Sequence, residues 1–188
     1  MAVNLRKGEK VNLSSANNRV SGVIVGLGWD SAKEGSASVD CDASAIICGF
    51  DGKATDVIYF GKMRSVNDAV IYTGDSQTGE GNGDNERIYI NFTKLPQDIG
   101  KIVISANIYD AKAKRQHFGM INNAFVRVVN WKTGQEMCRF NLTDNYSGMT
   151  GIIAAEIFRS SAGWDFAPIG KAIHEASRLQ SIVRLYQN

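Results

Sequence analysis

The stretch Val39–Cys48 reads VDCDASAIIC, and its side chains alternate in character along most of its length. One set of alternate positions is apolar and consists of Val39, Cys41, Ala43, Ala45 and Ile47. The other set starts polar and becomes apolar, in the order Asp40, Asp42, Ser44 and Ile46. Because successive side chains of a β-strand point to opposite faces, this period of two predicts a strand with one face in a core.

Similar segments follow one another along the chain, separated by turn residues. The other predicted strands are Val20–Leu27, Val57–Phe60, Val70–Thr73, Glu86–Phe92, Lys101–Asp110, Ala124–Trp131, Glu136–Leu142 and Trp164–Pro168. The short apolar run Gly151–Phe158 fits either a strand or a helix. Because no long helical crossover separates the strands, the pattern predicts an all-β fold, an antiparallel β-sandwich.

The C-terminal segment Lys171–Tyr186 has a different period. Its apolar residues recur every three to four positions, at Ala172, Ile173, Ala176, Leu179, Ile182, Val183 and Tyr186. This spacing predicts an amphipathic α-helix, which we expect to pack on the sandwich; a helix that binds a partner is the alternative. The predicted organisation is one domain, in which residues 1–170 form the sandwich and residues 171–188 the C-terminal helix.

Composition excludes several classes of protein. The formal net charge of the 188 residues is only +2, and no run rich in Lys or Arg stands out, so nucleic acid is not an expected partner. No apolar run approaches the roughly 20 residues of a membrane helix. Cys41 and Cys48 fall on opposite faces of their strand, which argues against a disulfide framework and favours a cytoplasmic location.

An acidic, glycine-rich segment covers Gly74–Glu86 and reads GDSQTGEGNGDNE. It is not an EF-hand loop, because Gln77 and Gly79 stand where that loop carries Asp or Asn, and because its flanks are strands. Its composition still suits Ca²⁺, which binds six to eight oxygens of carboxylates, amides and carbonyls. The predicted side-chain ligands are Asp75, Asn82, Asp84, Asn85 and Glu86. Glycines that let carbonyls turn inward are Gly79, Gly81 and Gly83.

A second acidic group lies on and before the strand Val39–Cys48. Asp40 and Asp42 share one face, about 7 Å apart along the strand, and Asp30 lies in the preceding segment. Two like charges on one face are costly unless they are solvated or bridged by a cation. We therefore predict a calcium site shared with the acidic segment, and ordinary solvated acids are the alternative. His117 and His174 are far apart in sequence, which argues against zinc or copper.

Several motifs resemble the TerD family of tellurium-resistance proteins, over about Val3 to Gly170. They are GLGWD (Gly26–Asp30), VDCDAS (Val39–Ser44), TGDSQTGEGNGDNE (Thr73–Glu86), NIYDA (Asn107–Ala111), FGMINNAFVRVVN (Phe118–Asn130) and RFNLTDN (Arg139–Asn145). The resemblance implies a calcium-binding β-sandwich without known catalytic activity. It also implies that the ion is held by Asp40, Asp42, Asp75, Asp84 and Glu86, with Asn82 and Asn85 at neighbouring positions.

One departure from the family pattern concerns the end of the acidic segment. Family members usually end it in GDGDDE, whereas this chain has GNGDNE, so Asn82 and Asn85 replace carboxylates by amides. Two fewer negative charges predict weaker calcium binding.

The resulting functional prediction is a non-enzymatic, calcium-binding stress-response or tellurium-resistance protein. The resemblance implies that it acts as a binding or scaffold module with other stress-resistance proteins, including assemblies at the inner face of the membrane. The alternative is a calcium-dependent lipid- or glycan-binding β-sandwich. An enzyme ranks last, because no nucleophile or general-base motif accompanies the carboxylates. His117 and the run 111–115 are interpreted as parts of solvated loops.

Overall fold

The computed structural model describes residues 2–14, 20–31, 39–74, 83–176 and 178–187. Within these ranges the strands are β1 (Val3–Asn4), β2 (Val11–Asn12), β3 (Gly22–Ser31), β4 (Cys41–Gly49), β5 (Ala54–Ile58), β6 (Val70–Gly74), β7 (Glu86–Asn91), β8 (Ile99–Ile108), β9 (Ile121–Asn130), β10 (Glu136–Asn141), β11 (Gly151–Ser160) and β12 (Gly163–Ile173). The α-helices are α1 (Ala111–Lys114) and α2 (Leu179–Val183). Short 3₁₀ turns cover Val66–Asp68, Phe118–Met120 and Arg184–Tyr186.

The strands form two six-stranded sheets, which confirms the predicted sandwich. The first sheet has the order β1-β10-β9-β3-β7-β6, and the second has the order β2-β12-β11-β8-β4-β5. Short β1 pairs parallel with β10, and the other neighbours named here pair antiparallel. The β1 and β2 pairs were not predicted, because two-residue strands carry too few positions to show a period.

The alternation in β4 is confirmed by where its side chains pack. Cys41, Ala43, Ala45 and Ile47 belong to the core between the two sheets. On the other face, Ile46 and Cys48 belong to a second apolar cluster with Val103, Ile153, Ala176 and Ile182. The predicted opposite orientation of Cys41 and Cys48 therefore holds, and the three cysteines of the chain are free thiols.

The ambiguous run Gly151–Phe158 is part of a strand, β11, which pairs with both β8 and β12. Its apolar residues lack a clear period because each face meets a core: the sandwich on one side and the C-terminal segment on the other. Gly151 permits this second contact. A Cβ atom at that position would collide with the Cβ of Ala176 and crowd Ile182.

The predicted extent of the C-terminal helix is wrong. Residues Lys171–Ile173 continue β12 and pair with β11, and α2 begins only at Leu179. Ladder hydrogen bonds to a buried neighbouring strand outweigh a helical spacing of apolar residues over so short a stretch. The predicted packing is confirmed, because Ala176 and Ile182 are buried in the cluster on the outer face of the second sheet.

None of the helices in the described ranges has the length and apolar character that crossing a membrane requires.

Candidate metal-binding end of the sandwich

The acidic residues gather where β4 and β7 begin. These strands belong to different sheets and contact each other across the sandwich. Four predicted site residues, Asp75, Gly79, Gly81 and Asn82, lie outside the described residues, in the connection that joins β6 to β7. The structure therefore places six of the predicted site residues: Asp30, Asp40, Asp42, Asp84, Asn85 and Glu86.

Asp42 lies on the outer face of the second sheet and is only 8% exposed. In the register of the sheet it stands opposite Asn107 of β8. Two pairs further along, on the same face, the hydroxyls of Ser44 and Ser105 are 2.7 Å apart. These buried polar groups form a hydrophilic strip on a face that becomes apolar from Ile46 onward. The strip thus brings a buried carboxylate close to the end of the sandwich.

Asp40 lies just before β4 and has a cation beside it. The Nζ atom of Lys114 is 3.5 Å from Oδ2 of Asp40. The same Nζ lies 5.0 Å from the ring centroid of Tyr109, whose backbone N–H donates to the carbonyl of Asp40 at 2.9 Å. Lys114 is in α1, so the interpretation of residues 111–115 as a loop is wrong. Asp110 precedes α1 in the left-handed region, which Asp tolerates better than most residues.

Glu86 is fully buried and accepts a hydrogen bond from the hydroxyl of Tyr72. Its charge also acts on the buried thiol of Cys41, which belongs to the other sheet. The pKa of Cys41 is raised well above its usual value, first by burial and then by the charges of Asp40, Asp42 and Glu86. Charges from both sheets therefore act on the thiol of Cys41.

Asp84 has a different environment, on the outer face of the first sheet. Arg127 holds both of its oxygens, with Nε 2.7 Å from Oδ1 and Nη2 3.1 Å from Oδ2. A second guanidinium, that of Arg87, donates from Nε to Oδ2 at 3.2 Å. Gly26 makes room for this arrangement, because a Cβ there would collide with the carboxylate of Asp84. The side chain of Asp84 is 3% exposed.

The guanidinium of Arg127 continues the network to a second carboxylate. Its Nη1 donates to Oε2 of Glu136 at 2.9 Å, and Arg139 donates to both oxygens of Glu136. These bonds lower the pKa of Glu136, with the hydrogen bond from Arg139 as the largest cause. Arg139 also stacks over Phe125, 4.0 Å from its centroid. We call Asp84, Arg87, Arg127, Glu136 and Arg139 the arginine network.

The two remaining predicted residues, Asn85 and Asp30, accept hydrogen bonds from groups of the first sheet. The side-chain oxygen of Asn85 accepts the backbone N–H of Trp29 at 2.8 Å. The backbone N–H of Asn85 donates to the carbonyl of Leu27 at 2.8 Å. Asp30 accepts a hydrogen bond from the amide of Asn123 at 2.6 Å. Asn85 therefore links the start of β7 to β3 by two hydrogen bonds.

The described carboxylates thus divide into two groups. The charges of Asp40, Asp42 and Glu86 act on Cys41, whereas Asp84 and Asp30 bind side chains of the first sheet. Among the described residues, no group of three or more His, Cys, Asp or Glu side chains is placed to hold a metal ion by itself.

A groove of about 460 Å³ runs beside Asp42 on the outer face of the second sheet. Its polar floor includes Ser44 and Asn107, and aromatic rings of Phe60 and Tyr109 form part of its wall. The two rings meet edge to face, with centroids 6.2 Å apart, and both are largely exposed. Sequence analysis did not find these aromatic residues beside the acid, because they lie in turns that follow β5 and β8.

Sequence analysis also missed the partners of the carboxylates: Tyr72, Lys114 and Arg127. A partial signal exists for Arg127, because it interrupts the apolar positions of FVRVV and so falls on the outer face of a strand. No signal within the sequence pairs it with Asp84, which lies just before another strand, β7.

The fold and this acidic end define a two-sheet β-sandwich of the TerD class, and direct comparisons agree. The sequence profile of the TerD domain matches residues 1–186, so the chain belongs to the TerD family. The match includes the C-terminal segment that contains α2.

Among relatives, the chain is similar to stress response protein SCP2 of Bacillus subtilis (strain 168). The two are 42% identical over 200 residues, which cover 99% of this chain and 100% of that protein. It is 38% identical over 173 residues to tellurium resistance protein TerD of Alcaligenes sp, covering 90% of each chain. A crystal structure of a TerD homologue from Streptomyces coelicolor A3(2) has the same fold, with a TM-score of 0.68, 22% identity and coverage of 82% and 90%.

Proposed function

We propose that this member of the TerD family is a calcium-binding stress-response module that acts by binding partners rather than by catalysis. The observation that supports the proposal is the placement of Asp42 and Glu86, two buried carboxylates at the starts of β4 and β7, which are contacting strands of different sheets. Asp40 adds a third carboxylate at the same place. The proposed ligands are these three residues, completed by Asp75, Asn82 and the carbonyls of Gly79 and Gly81.

The donor set fits calcium. Burying a carboxylate is costly unless its charge is compensated, and three neighbouring negative charges increase that cost. The candidate donors are carboxylate, amide and carbonyl oxygens, which are hard ligands of the kind that Ca²⁺ binds. Bound calcium would supply positive charge and a rigid link between the start of β4 and the connection before β7.

The chain's own residues define what such a link would do. Tyr72 and Lys114 each hold one of the three carboxylates in place before any ion arrives. A cation would order the acidic end of both sheets together, because β4 and β7 belong to different sheets. An ordered end of this kind offers a surface for partner proteins. The names of the relatives, stress response and tellurium resistance proteins, support the stress-response part of the proposal.

Asp84, Asn85 and Asp30 remain predicted ligands, but their contacts support a different role. Both oxygens of Asp84 are held by arginines, and the side-chain oxygen of Asn85 holds the backbone of Trp29. We infer that Asp84 and Asn85 chiefly stabilise the first sheet.

A calcium titration of the purified chain tests the proposal. We expect heat of binding in isothermal titration calorimetry and a higher melting temperature in CaCl₂ than in EGTA. A concentration a hundredfold above Kd would add about 2.7 kcal/mol to the free energy of unfolding. Identical melting curves at millimolar calcium, together with no heat of binding, would contradict the proposal. A hydrolase screen with Ca²⁺, Mg²⁺ and Mn²⁺ tests the claim that the protein does not act as an enzyme. Turnover of a substrate in this screen would contradict that claim.

A second candidate is calcium-dependent binding of a glycan or a lipid head group, which the groove beside Asp42 favours. Exposed aromatic rings next to a buried carboxylate suit a ligand with both apolar and hydroxyl surfaces. Co-sedimentation with anionic liposomes and binding to a glycan array, each with calcium and with EGTA, test it. Phe60→Ala and Tyr109→Ala should reduce binding, whereas Phe50→Ala, at a ring that is 70% exposed, is the matched control.

A further inference from the structure

The chain contains two histidines, His117 and His174, and both line one pocket of about 560 Å³. Lys112 and Arg115, from and just after α1, line the same pocket. It shares no lining residue with the groove beside Asp42. The proximity of the two histidines was not visible in the sequence, where they stand far apart.

The backbone that carries the two histidines is fixed to a single segment. The N–H of Phe118, next to His117, donates to the carbonyl of Met149 at 2.8 Å. The hydroxyl of Thr150 donates to the carbonyl of His174 at 2.9 Å and accepts the N–H of Ala176 at 2.8 Å. Because neighbouring residues anchor both sides, the two imidazoles belong to a preformed pocket.

The polar lining of this pocket includes two cationic side chains and one acidic one, together with histidines and neutral polar side chains. Lys112 and Arg115 are the cationic residues, and Glu175 is the acidic residue, among the described lining. The Nδ1 atom of His117 is buried and makes no hydrogen bond within the part of the chain that the structure describes. A buried polar atom without a partner costs about 1–3 kcal/mol, which a bound ligand or water can offset.

We propose that this pocket binds a small oxyanion, such as inorganic phosphate. Arginine presents a planar set of N–H donors that matches the oxygens of such an anion, and lysine adds a point charge. Imidazole N–H groups supply further donors. A metal ion is the less favoured occupant, because the two histidines and Glu175 do not form a group that could hold one.

The test uses the imidazole signals as probes, because two histidines give few and separable resonances. The full chain in EGTA is titrated with sodium phosphate, at ionic strength held constant with sodium chloride, and followed by ¹H–¹⁵N correlation spectra. We expect both imidazoles to shift in a saturable way. A parallel titration with tellurite distinguishes that oxyanion from phosphate, and sodium chloride alone is the blank. EGTA keeps the result independent of the calcium proposal.

Two variants should weaken phosphate binding without disturbing the fold. Lys112→Gln and Arg115→Asn each remove one charge-assisted contact, and we expect affinity to fall about fivefold. Asparagine is chosen at position 115 because Arg115 has a φ of 52°, a conformation that Asn tolerates. Lys132→Gln, at an exposed lysine beside Trp131, is the matched control and should leave affinity unchanged.

A variant that should bind phosphate more tightly controls for loss of binding through misfolding. Glu175→Gln removes the acidic residue of the pocket, and we expect phosphate affinity to rise about threefold. Shifts that grow linearly and match those in sodium chloride would overturn the proposal. So would saturable binding that Lys112→Gln and Arg115→Asn leave unchanged, or imidazole shifts that appear with ZnCl₂ but not with either oxyanion.

Discussion

Asp84 and Asp42 are both buried aspartates at the acidic end of the molecule, yet their surroundings differ. Asp84 is enclosed by the guanidiniums of Arg127 and Arg87, so its charge is already compensated. Asp42 lies on the outer face of the second sheet, and its charge acts on the thiol of Cys41 together with those of Asp40 and Glu86. The comparison teaches that an acidic residue at a strand end does not by itself indicate a metal. The charges that neighbouring strands place around it decide its role.

The largest expected effect comes from breaking the arginine network. Arg127→Met would leave Asp84 buried with only Arg87 beside it, and we expect a loss of about 3 kcal/mol in the free energy of unfolding. Urea unfolding in EGTA measures this loss. Arg64→Met, which removes an exposed ion pair with Asp68, is the control and should cost less than about 0.5 kcal/mol.

The same variant separates the two groups of carboxylates. Calcium affinity of Arg127→Met should stay within about twofold of the parent value, since the network is not part of the proposed site. A large change in calcium affinity, in either direction, would show that Asp84 belongs to that site.

Next in size is the effect of removing a proposed ligand. Asp42→Asn should lower calcium affinity at least tenfold, roughly 1.4 kcal/mol or more. In EGTA its stability should be unchanged or slightly higher, because one of several neighbouring negative charges is gone. Calorimetry and urea unfolding measure the two quantities, and Asp98→Asn, at an exposed aspartate elsewhere, is the control. A variant that is less stable in EGTA but binds calcium normally would contradict the assignment.

A smaller effect concerns acid stability of the arginine network. The pKa of Glu136 is lower in the folded protein than its ordinary value, chiefly because of Arg139. A lowered pKa contributes stability above the unfolded value, and that stability is lost as pH falls through the folded value. Between about pH 5 and pH 3, Glu136→Gln should therefore lose less stability than the parent. If the free energy of unfolding falls equally with pH in the parent and in Glu136→Gln, this account is contradicted.

The smallest expected effect is a gain in calcium affinity. Lys114 lies beside Asp40 and competes with any cation for that carboxylate. Lys114→Gln should raise calcium affinity about twofold to threefold, because exposed ion pairs are worth less than about 1 kcal/mol. Calorimetry measures the change against Lys132→Gln. A loss of affinity would mean that Lys114 supports the site instead of competing for it.

The sequence was sufficient for features set by neighbouring residues. The alternation of Val39–Cys48 predicted which of its side chains face the core, and the strand pattern predicted the sandwich. The predicted helix began several residues before the observed one. The reason is that Ala172 pairs with Ile152 of β11, and the spacing of apolar residues within the C-terminal segment gives no information about that distant strand. A period of 3.6 and a period of two are hard to distinguish over three residues.

The candidate site was predictable only in part, for a related reason. Sequence analysis found the acidic residues, since composition alone marks them. It could not find that Arg127 holds Asp84 or that Lys114 reaches Asp40, because these contacts join segments that only the fold brings together. The same limit applied to His117 and His174, whose shared pocket depends on the anchoring of residues 148–150.

The central claim is that one calcium ion is shared by carboxylates of both sheets, and a double-mutant cycle tests it most directly. Calcium affinity is measured by calorimetry for the parent chain, Asp42→Asn, Glu86→Gln and the double variant. Residues that bind one ion should be coupled, so the double variant should lose clearly less binding free energy than the sum of the two single losses. Strictly additive losses, or calcium affinity unchanged in both single variants, would contradict the claim.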